Sequence, residues 1–176
     1  FGHADLINIE SLKYVKEKFP NIKMSQWFLD RMDSEWKVNL KRFKDKINYL
    51  DGSFCTTDPK QLNIKNISKV KFMPNPVDLS EEPYDNSNCT TCSIDLLFCG
   101  ARNTDYRSQL ISYLKEHIDE SHFIFKIHGM NYQAPVWGEV YKKTLSKTKM
   151  ALNLNGEEGW PLYSSDRIAQ LMGNGI

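Results

Sequence analysis

A chain of 176 residues holds enough material for one ordinary domain or two small ones. Its hydrophobic share of 40% and charged share of 26% are those of a globular protein with a packed core. A formal charge of +1 argues against a nucleic-acid module built on phosphate contacts, and no apolar run approaches the roughly 20 residues of a membrane helix.

Residues 1–7 look like the end of a strand turning into a loop. Asn8 then caps a helix whose apolar positions, Ile9, Leu12, Val15 and Phe19, follow helical spacing, and Pro20-Asn21 stops it. Residues 23–29 read as a strand, followed by the polar loop Asp30-Arg31-Met32-Asp33. Leu40, Phe43, Ile47 and Leu50 define a second amphipathic helix, and Asp51-Gly52 turns the chain into a strand over 53–56. Thr57-Asp58-Pro59 is a helix-start signal, with a capping acid before proline, and residues 70–73 form another short strand. The pattern breaks at residues 78–93, rich in acids, Asn, Ser and Thr, with almost nothing to bury; this is the expected linker.

A second alternating set follows. Residues 94–99 are a strand, Gly100-Ala-Arg-Asn a loop, and Thr104 caps a helix carrying Tyr106, Leu110, Ile111, Leu114 and Ile118. Residues 123–127 are the next strand, ending in His128-Gly129, and Pro135 opens a helix with Val136, Val140 and Leu145. Residues 150–154 are a third strand. A Gly-rich acidic loop then leads to Ser164-Ser165-Asp166, which starts a short helix closed by Gly173 and Gly175. Strands alternating with helices on both sides of a linker predict an α/β protein of two Rossmann-like units with mostly parallel sheets: residues 1–78, a linker over 79–93, and residues 94–176. The chain begins at Phe1 and stops after a glycine expected to lead into another strand, so both units read as incomplete pieces of a longer protein.

Of the four cysteines, Cys55 and Cys99 lie in strand-like runs, where a thiol packs as a small hydrophobe. Cys89-Thr-Thr-Cys92 has the spacing of half a zinc site or a redox pair. With no second pair beside it, the reading is ordinary reduced thiols in a cytoplasmic protein.

Ligands of open α/β sheets bind beyond the carboxyl ends of the strands. In the second unit those ends offer Gly100 with Arg102 and Arg107, His128 with Gly129, and the stretch from Asn153 to Arg167. Glycines admit phosphate oxygens to backbone N–H groups, cations neutralise them, and a helix N-terminus adds its dipole. The expected ligand is therefore phosphorylated. Arg167 is the strongest candidate, because a cation in the first turn of a helix works against the dipole unless an anion lies between them. Each residue also has a plainer reading: a turn glycine, a solvated arginine, a histidine bonded to its own loop. The first unit offers His3 and Asp30, with Asp33, as groups that could face a ligand. No Ser-His-Asp order, Walker loop or complete metal-ligand set is present.

Several stretches carry a family likeness: Phe1-Gly-His-Ala-Asp-Leu-Ile, Ser25-Gln-Trp-Phe-Leu-Asp30, Phe54-Cys-Thr-Thr-Asp58, Phe72-Met-Pro-Asn-Pro-Val-Asp78, Leu97-Phe-Cys-Gly100, and above all Tyr163-Ser-Ser-Asp-Arg-Ile-Ala-Gln-Leu-Met-Gly-Asn-Gly175. In these the chain resembles the GT-B glycosyltransferases, more narrowly the group-1-type bacterial transferases related to the CgeB-like proteins. The resemblance implies two Rossmann-like units facing across a cleft. The second would bind a nucleoside diphosphate sugar and the first a cell-surface glycan or lipid-linked acceptor. It implies that Gly100 lets the loop approach the diphosphate, that Arg102 or Arg107 neutralises it, and that Ser165 and Arg167 contact phosphates or sugar. Gln170 stands where many relatives carry a Glu that holds the donor ribose; an amide still hydrogen-bonds hydroxyls. His3 and Asp30 are the candidate bases, needed only by an inverting enzyme. The family usually works without an essential metal, so no metal and no cofactor besides the donor is expected. A nucleic-acid partner is not expected either. The implied location is the cytoplasm, including the inner face of the membrane through peripheral contact.

Overall fold

The structure is a computed structural model that describes residues 7–30, 32, 37–100, 106–130, 133–155 and 161–176. The chain is α/β, with two small parallel sheets and, among the described residues, five α-helices. Two compact units result. One takes the described residues up to Asn75 together with those from Pro161 to Asp166, and the other takes those from Pro76 together with Arg167–Ile176.

In the first unit, helix α1 (Ile9–Lys18) starts where Asn8 accepts the Ser11 N–H at 2.8 Å. Glu10 in its first turn and Lys16 and Lys18 in its last complement the helix dipole. Leu12 packs with Met24 and Leu50, but Phe19 does not join them: the helix ends at Lys18, ahead of Pro20, and leaves Phe19 exposed. Strand β1 (Ser25–Phe28), helix α2 (Lys37–Ile47), strand β2 (Gly52–Cys55) and strand β3 (Val70–Phe72) follow, in the parallel order β1-β2-β3. The predicted third helix is a single 3₁₀ turn, Pro59–Leu62, opened by Asp58 accepting the Lys60 N–H. Phe28, Met32, Phe43, Ile47, Cys55, Leu62 and Val70 make the core, with the Phe28 and Phe43 rings edge to face at 5.8 Å. A buried amide is satisfied inside it, since Gln26 donates to Phe43 O and Ser53 Oγ, both at 3.0 Å. The carboxyl end of β2 continues into contacts with the 161–166 stretch: Ser164 N–H donates to Thr56 O at 2.8 Å and Asp58 N–H to Pro161 O at 3.1 Å.

The second unit holds strand β4 (Ile94–Cys99), helix α3 (Tyr106–His117), strand β5 (Phe125–His128), helix α4 (Gly138–Leu145), strand β6 (Thr148–Ala151) and helix α5 (Asp166–Gly173), whose first residue counts with the other unit. The sheet is parallel in the order β5-β4-β6, pairing Cys99 with His128 and Leu97 with Ala151. Period-two alternation along β4 divides its side chains. Leu96 and Phe98 pack with Ile111 and Leu114 of α3, and Leu97 and Cys99 pack with Leu145 and Tyr141 of α4 and Leu171 of α5. Two boundaries differ from the periodicity. Helix α4 begins at Gly138 rather than Pro135. Strand β6 begins at Thr148 rather than Met150, because fully buried Thr148 hides its hydroxyl by donating to Thr144 O at 2.8 Å.

Residues 79–93, read above as a linker, are tied into the second unit by polar groups rather than apolar ones. Asn86 is 7% exposed, and its amide donates to Leu145 O and Thr148 O, both at 2.8 Å. Its N–H donates to Asn174 O at 2.9 Å, and Asn174 Oδ1 accepts the Tyr84 N–H at 3.0 Å. Glu82, also buried, accepts the Asp78 N–H at 2.8 Å. Cys89 and Cys92 are joined as a disulfide, not the free thiols expected from the sequence; Cys55 and Cys99 are free. No helix among the described residues is long and apolar enough to cross a membrane.

Candidate functional site

The order β5-β4-β6 places a reversal at β4. The chain passes from β4 through α3 to β5 on one side, then returns through α4 to β6 on the other. Helix α3 lies against one face of the sheet and α5 against the opposite face. Helices α3 and α5, which follow β4 and β6, therefore lie on opposite faces, the arrangement in which a ligand crevice falls between the carboxyl ends of those two strands.

Arg167 fills the floor of that crevice. Its Nη1 donates to Cys99 O, its Nη2 to Leu154 O at 3.0 Å and its Nε to Asn153 Oδ1 at 3.1 Å. The guanidinium also lies 5.8 Å from the centre of the Phe98 ring. Carbonyl oxygens crowd the carboxyl end of a parallel sheet, and a planar fork of five donors is the side chain suited to gather them. These acceptors alone explain a cation at the first turn of α5, so its position no longer requires an anion. Arg167 is first a strut across the strand ends, and it brings a positive charge to the place where an anionic ligand of such a sheet would lie. The loop after β6 is fixed from the other side as well, where Tyr106 Oη donates to Asn155 O at 2.8 Å.

Beside the crevice, β4 and β5 end in two glycines that meet backbone to backbone. Gly100 N–H donates to His128 O at 2.9 Å. Gly129 has φ +76°, and a Cβ built on it would stand 1.5 Å from Gly100 O. At Gly100 a Cβ would meet only side chains, Phe98 at 2.9 Å and Met130 at 3.2 Å. Gly129 is thus obligatory for two reasons, its left-handed backbone and its neighbour's carbonyl, and the result is a rim of bare main chain.

Electrostatics at these ends favour binding over nucleophilic chemistry. Burial pushes the Cys99 thiol up to about 11 against the opposing charge of Arg167, and burial pushes the Tyr141 phenol up to about 12. Neither is an activated nucleophile at neutral pH. His128 is held below its ordinary value by burial, with the Ala134 backbone opposing and Lys126 adding to the shift. It is neutral at pH 7 and offers hydrogen bonds rather than the extra cation that the sequence suggested.

The structure brings together Gly100, His128 and Arg167, at adjoining strand ends of the second unit. Arg107 sits in the first turn of α3 and is 9% exposed, packed within the unit rather than displayed on its surface. Gln170 lies mid-way along α5, and its carbonyl accepts both the N–H and the side-chain amide of Asn174. Ser165 belongs to the stretch held by the first unit, and Asp30 is an exposed residue following β1. His3, Arg102 and Asp33 lie outside the described residues, as does the acidic loop at Glu157 and Glu158. The sequence reading placed Asn153 only within the Asn153–Arg167 stretch and Tyr106 only on a helix face, and assigned neither its bond. The signal for Asn153 was an amide inside the predicted apolar run 150–154; in the fold it lies two residues past the end of β6, where such positions line the ligand edge. Among the described residues no group of three or more His, Cys, Asp or Glu side chains could hold a metal ion.

Comparison with known proteins adds no identity: no protein-family model, curated protein or solved structure matches the chain.

Proposed function

We propose that the second unit binds the diphosphate of a nucleoside diphosphate sugar at the carboxyl ends of β4, β5 and β6, and that the chain is part of a GT-B glycosyltransferase. The observation that carries this reading is the strand order β5-β4-β6, which puts a guanidinium and a rim of bare backbone at the switch point of a parallel sheet. Phosphate oxygens would lie against the bare backbone of the glycine rim in the field of Arg167, and neutral His128, whose N–H is engaged by the Ala134 carbonyl, would accept a bond from a ligand hydroxyl. As the sugar leaves, negative charge grows on the diphosphate, and the preorganised charge of Arg167 would stabilise it. The transferase assignment, the GT-B pairing of units and the glycan or lipid-linked acceptor rest on the motif resemblance, with the acceptor assigned to the first unit. Asp30 is the described candidate for an acceptor-side base.

Calorimetric titration of the chain with uridine diphosphate and guanosine diphosphate, each with and without an attached sugar, tests the binding step. Arg167→Ala removes both the charge and the fork. Its affinity should fall by about 1.5–3 kcal/mol, the range for a charged hydrogen bond. Unchanged affinity in a folded variant would remove Arg167 from the site. Release of free nucleoside diphosphate from a donor sugar supports transfer, whereas tight binding with no release would make the unit a binding module without turnover.

A further inference from the structure

The disulfide between Cys89 and Cys92 lies outside the strand-end site, yet it stands in the turn on which helix α5 ends. On one side of it, Cys89 N–H donates to Asn86 O at 3.0 Å, and the Asn86 amide is buried against Leu145 O and Thr148 O. On the other side Ile94, the first residue of β4, donates to Lys147 O at 2.9 Å. The bridge therefore tightens the span between two anchored points, Asn86 and Ile94. That same turn seats the end of α5. Asn174 accepts the Asn86 N–H through its carbonyl and the Tyr84 N–H through its side chain. Gly175, at φ +68°, lies so near that a Cβ would stand 2.9 Å from both Asp85 Oδ1 and Ser87 N. From this seat α5 runs back to Arg167 at the strand ends.

We propose that Cys89 and Cys92 form a reversible thiol–disulfide site, and that its oxidised state locks the turn on which α5 rests. Two features make the bond exchangeable. Both cysteines are half-exposed in a loop, open to a small reductant; Cys55 is buried, and Cys99, though part-exposed as a residue, has its thiol held protonated by burial. Only two residues separate the pair, so the bridge removes little entropy from the unfolded chain and resists reduction weakly. In the forward step a dithiol attacks one sulfur and the S–S bond breaks. The second sulfur of the reagent then displaces the mixed disulfide. Two electrons and two protons pass to the protein, leaving two cysteine thiols and the reagent as its cyclic disulfide. Freed of the link, residues 87–93 gain conformational freedom, and the seat of α5 loosens with them. The inference does not depend on which ligand occupies the strand ends.

The test uses the intact chain, titrated under native conditions with reduced and oxidised dithiothreitol at varied ratio, with alkylation and mass analysis of free thiols. Before reduction neither Cys89 nor Cys92 should be alkylated; after it both should be, with Cys55 and Cys99 still protected. Amide hydrogen exchange should rise several-fold over residues 84–94 and 170–176 on reduction and stay unchanged over β1, β2 and β3. The variant carrying Cys89→Ser with Cys92→Ser should match the reduced protein and ignore the reagent. Alkylation of both residues in the untreated protein would overturn the proposal, as would a bond that yields only when the fold is lost. Equal exchange over 170–176 in the two states would overturn it too, and so would a rise spread evenly over the whole chain.

Discussion

Gly129 and Gly138 allow the close approach of β4 and β5 to be weighed against backbone strain alone. Both have left-handed backbones, φ +76° and +54°, and both lie in the second unit. A Cβ at Gly138 meets nothing within 4 Å, whereas at Gly129 it falls 1.5 Å from Gly100 O. Gly138→Ala therefore incurs only the left-handed penalty of about 1–2 kcal/mol, partly offset by a stiffer unfolded chain, for a net loss of about 1 kcal/mol. Gly129→Ala incurs the same penalty and must also drive two backbones apart. Real Cβ contacts essentially never fall below 3.0 Å, so the separation needed is on the order of 1.5 Å. That movement breaks the bond from Gly100 N–H to His128 O and leaves both groups unpaired beside the sheet. Together these effects put Gly129→Ala at about 4–5 kcal/mol, in the tail reserved for core disruption. Urea unfolding followed by far-ultraviolet circular dichroism separates the two. With a slope of about 2 kcal/mol per molar urea, the midpoints should differ by roughly 1.5–2 M. Midpoints that coincide would show that the strand ends do not meet as described and would sink the account of the glycine rim.

Asn86→Ala removes both 2.8 Å bonds and strands the Leu145 and Thr148 carbonyls, at a cost of about 2–4 kcal/mol. For a chain of this length that is a fall in melting temperature of roughly 5–15 °C; a fall under about 2 °C would mean the amide is not buried. Alkali should weaken the fold as well. The Cys55 and Cys99 thiols are pushed up to about 11 and the Tyr141 phenol to about 12, from ordinary values of 9.0 and 10.0. The folded state therefore keeps protons that the unfolded chain releases. This stabilisation is complete below pH 9, erodes from there upward, and is lost as pH rises through the folded values. Urea midpoints should drop steadily between pH 9 and pH 12, and a flat profile would contradict the burial of these groups. His128 works in the opposite direction. Its value is lowered, so its contribution is present above pH 6.5 and is lost as pH falls through the folded value.

Much of the architecture was legible in the residues. Helical spacing at Ile9, Leu12 and Val15, the Asn8 and Asp58 caps and the short apolar runs located the elements, because local hydrogen bonds and side-chain period act within a few residues. Errors fell where a polar side chain does an apolar one's work. Thr148 begins a strand while fully buried, and Asn86 and Asn174 anchor a stretch whose composition reads as a linker. Their hydroxyl and amides are matched by carbonyls and N–H groups far away in sequence, as with Asn86 and Leu145 or Tyr84 and Asn174, and no local pattern announces that pairing.

The candidate site divides along the same line. By itself the sequence determined that strand ends carry glycines, a histidine and an arginine, and that a capped helix follows the last strand. Only the tertiary structure decided the order β5-β4-β6, which puts the crevice between β4 and β6, since strand order depends on contacts between distant segments. It also decided what Arg167 holds. From the sequence its cation needed an anion to offset the helix dipole; in the fold, Cys99 O, Leu154 O and Asn153 Oδ1 converge on it. Three acceptors drawn from two strand ends meet one guanidinium only after the sheet has formed, and so no reading of residues 166–173 alone could have found them.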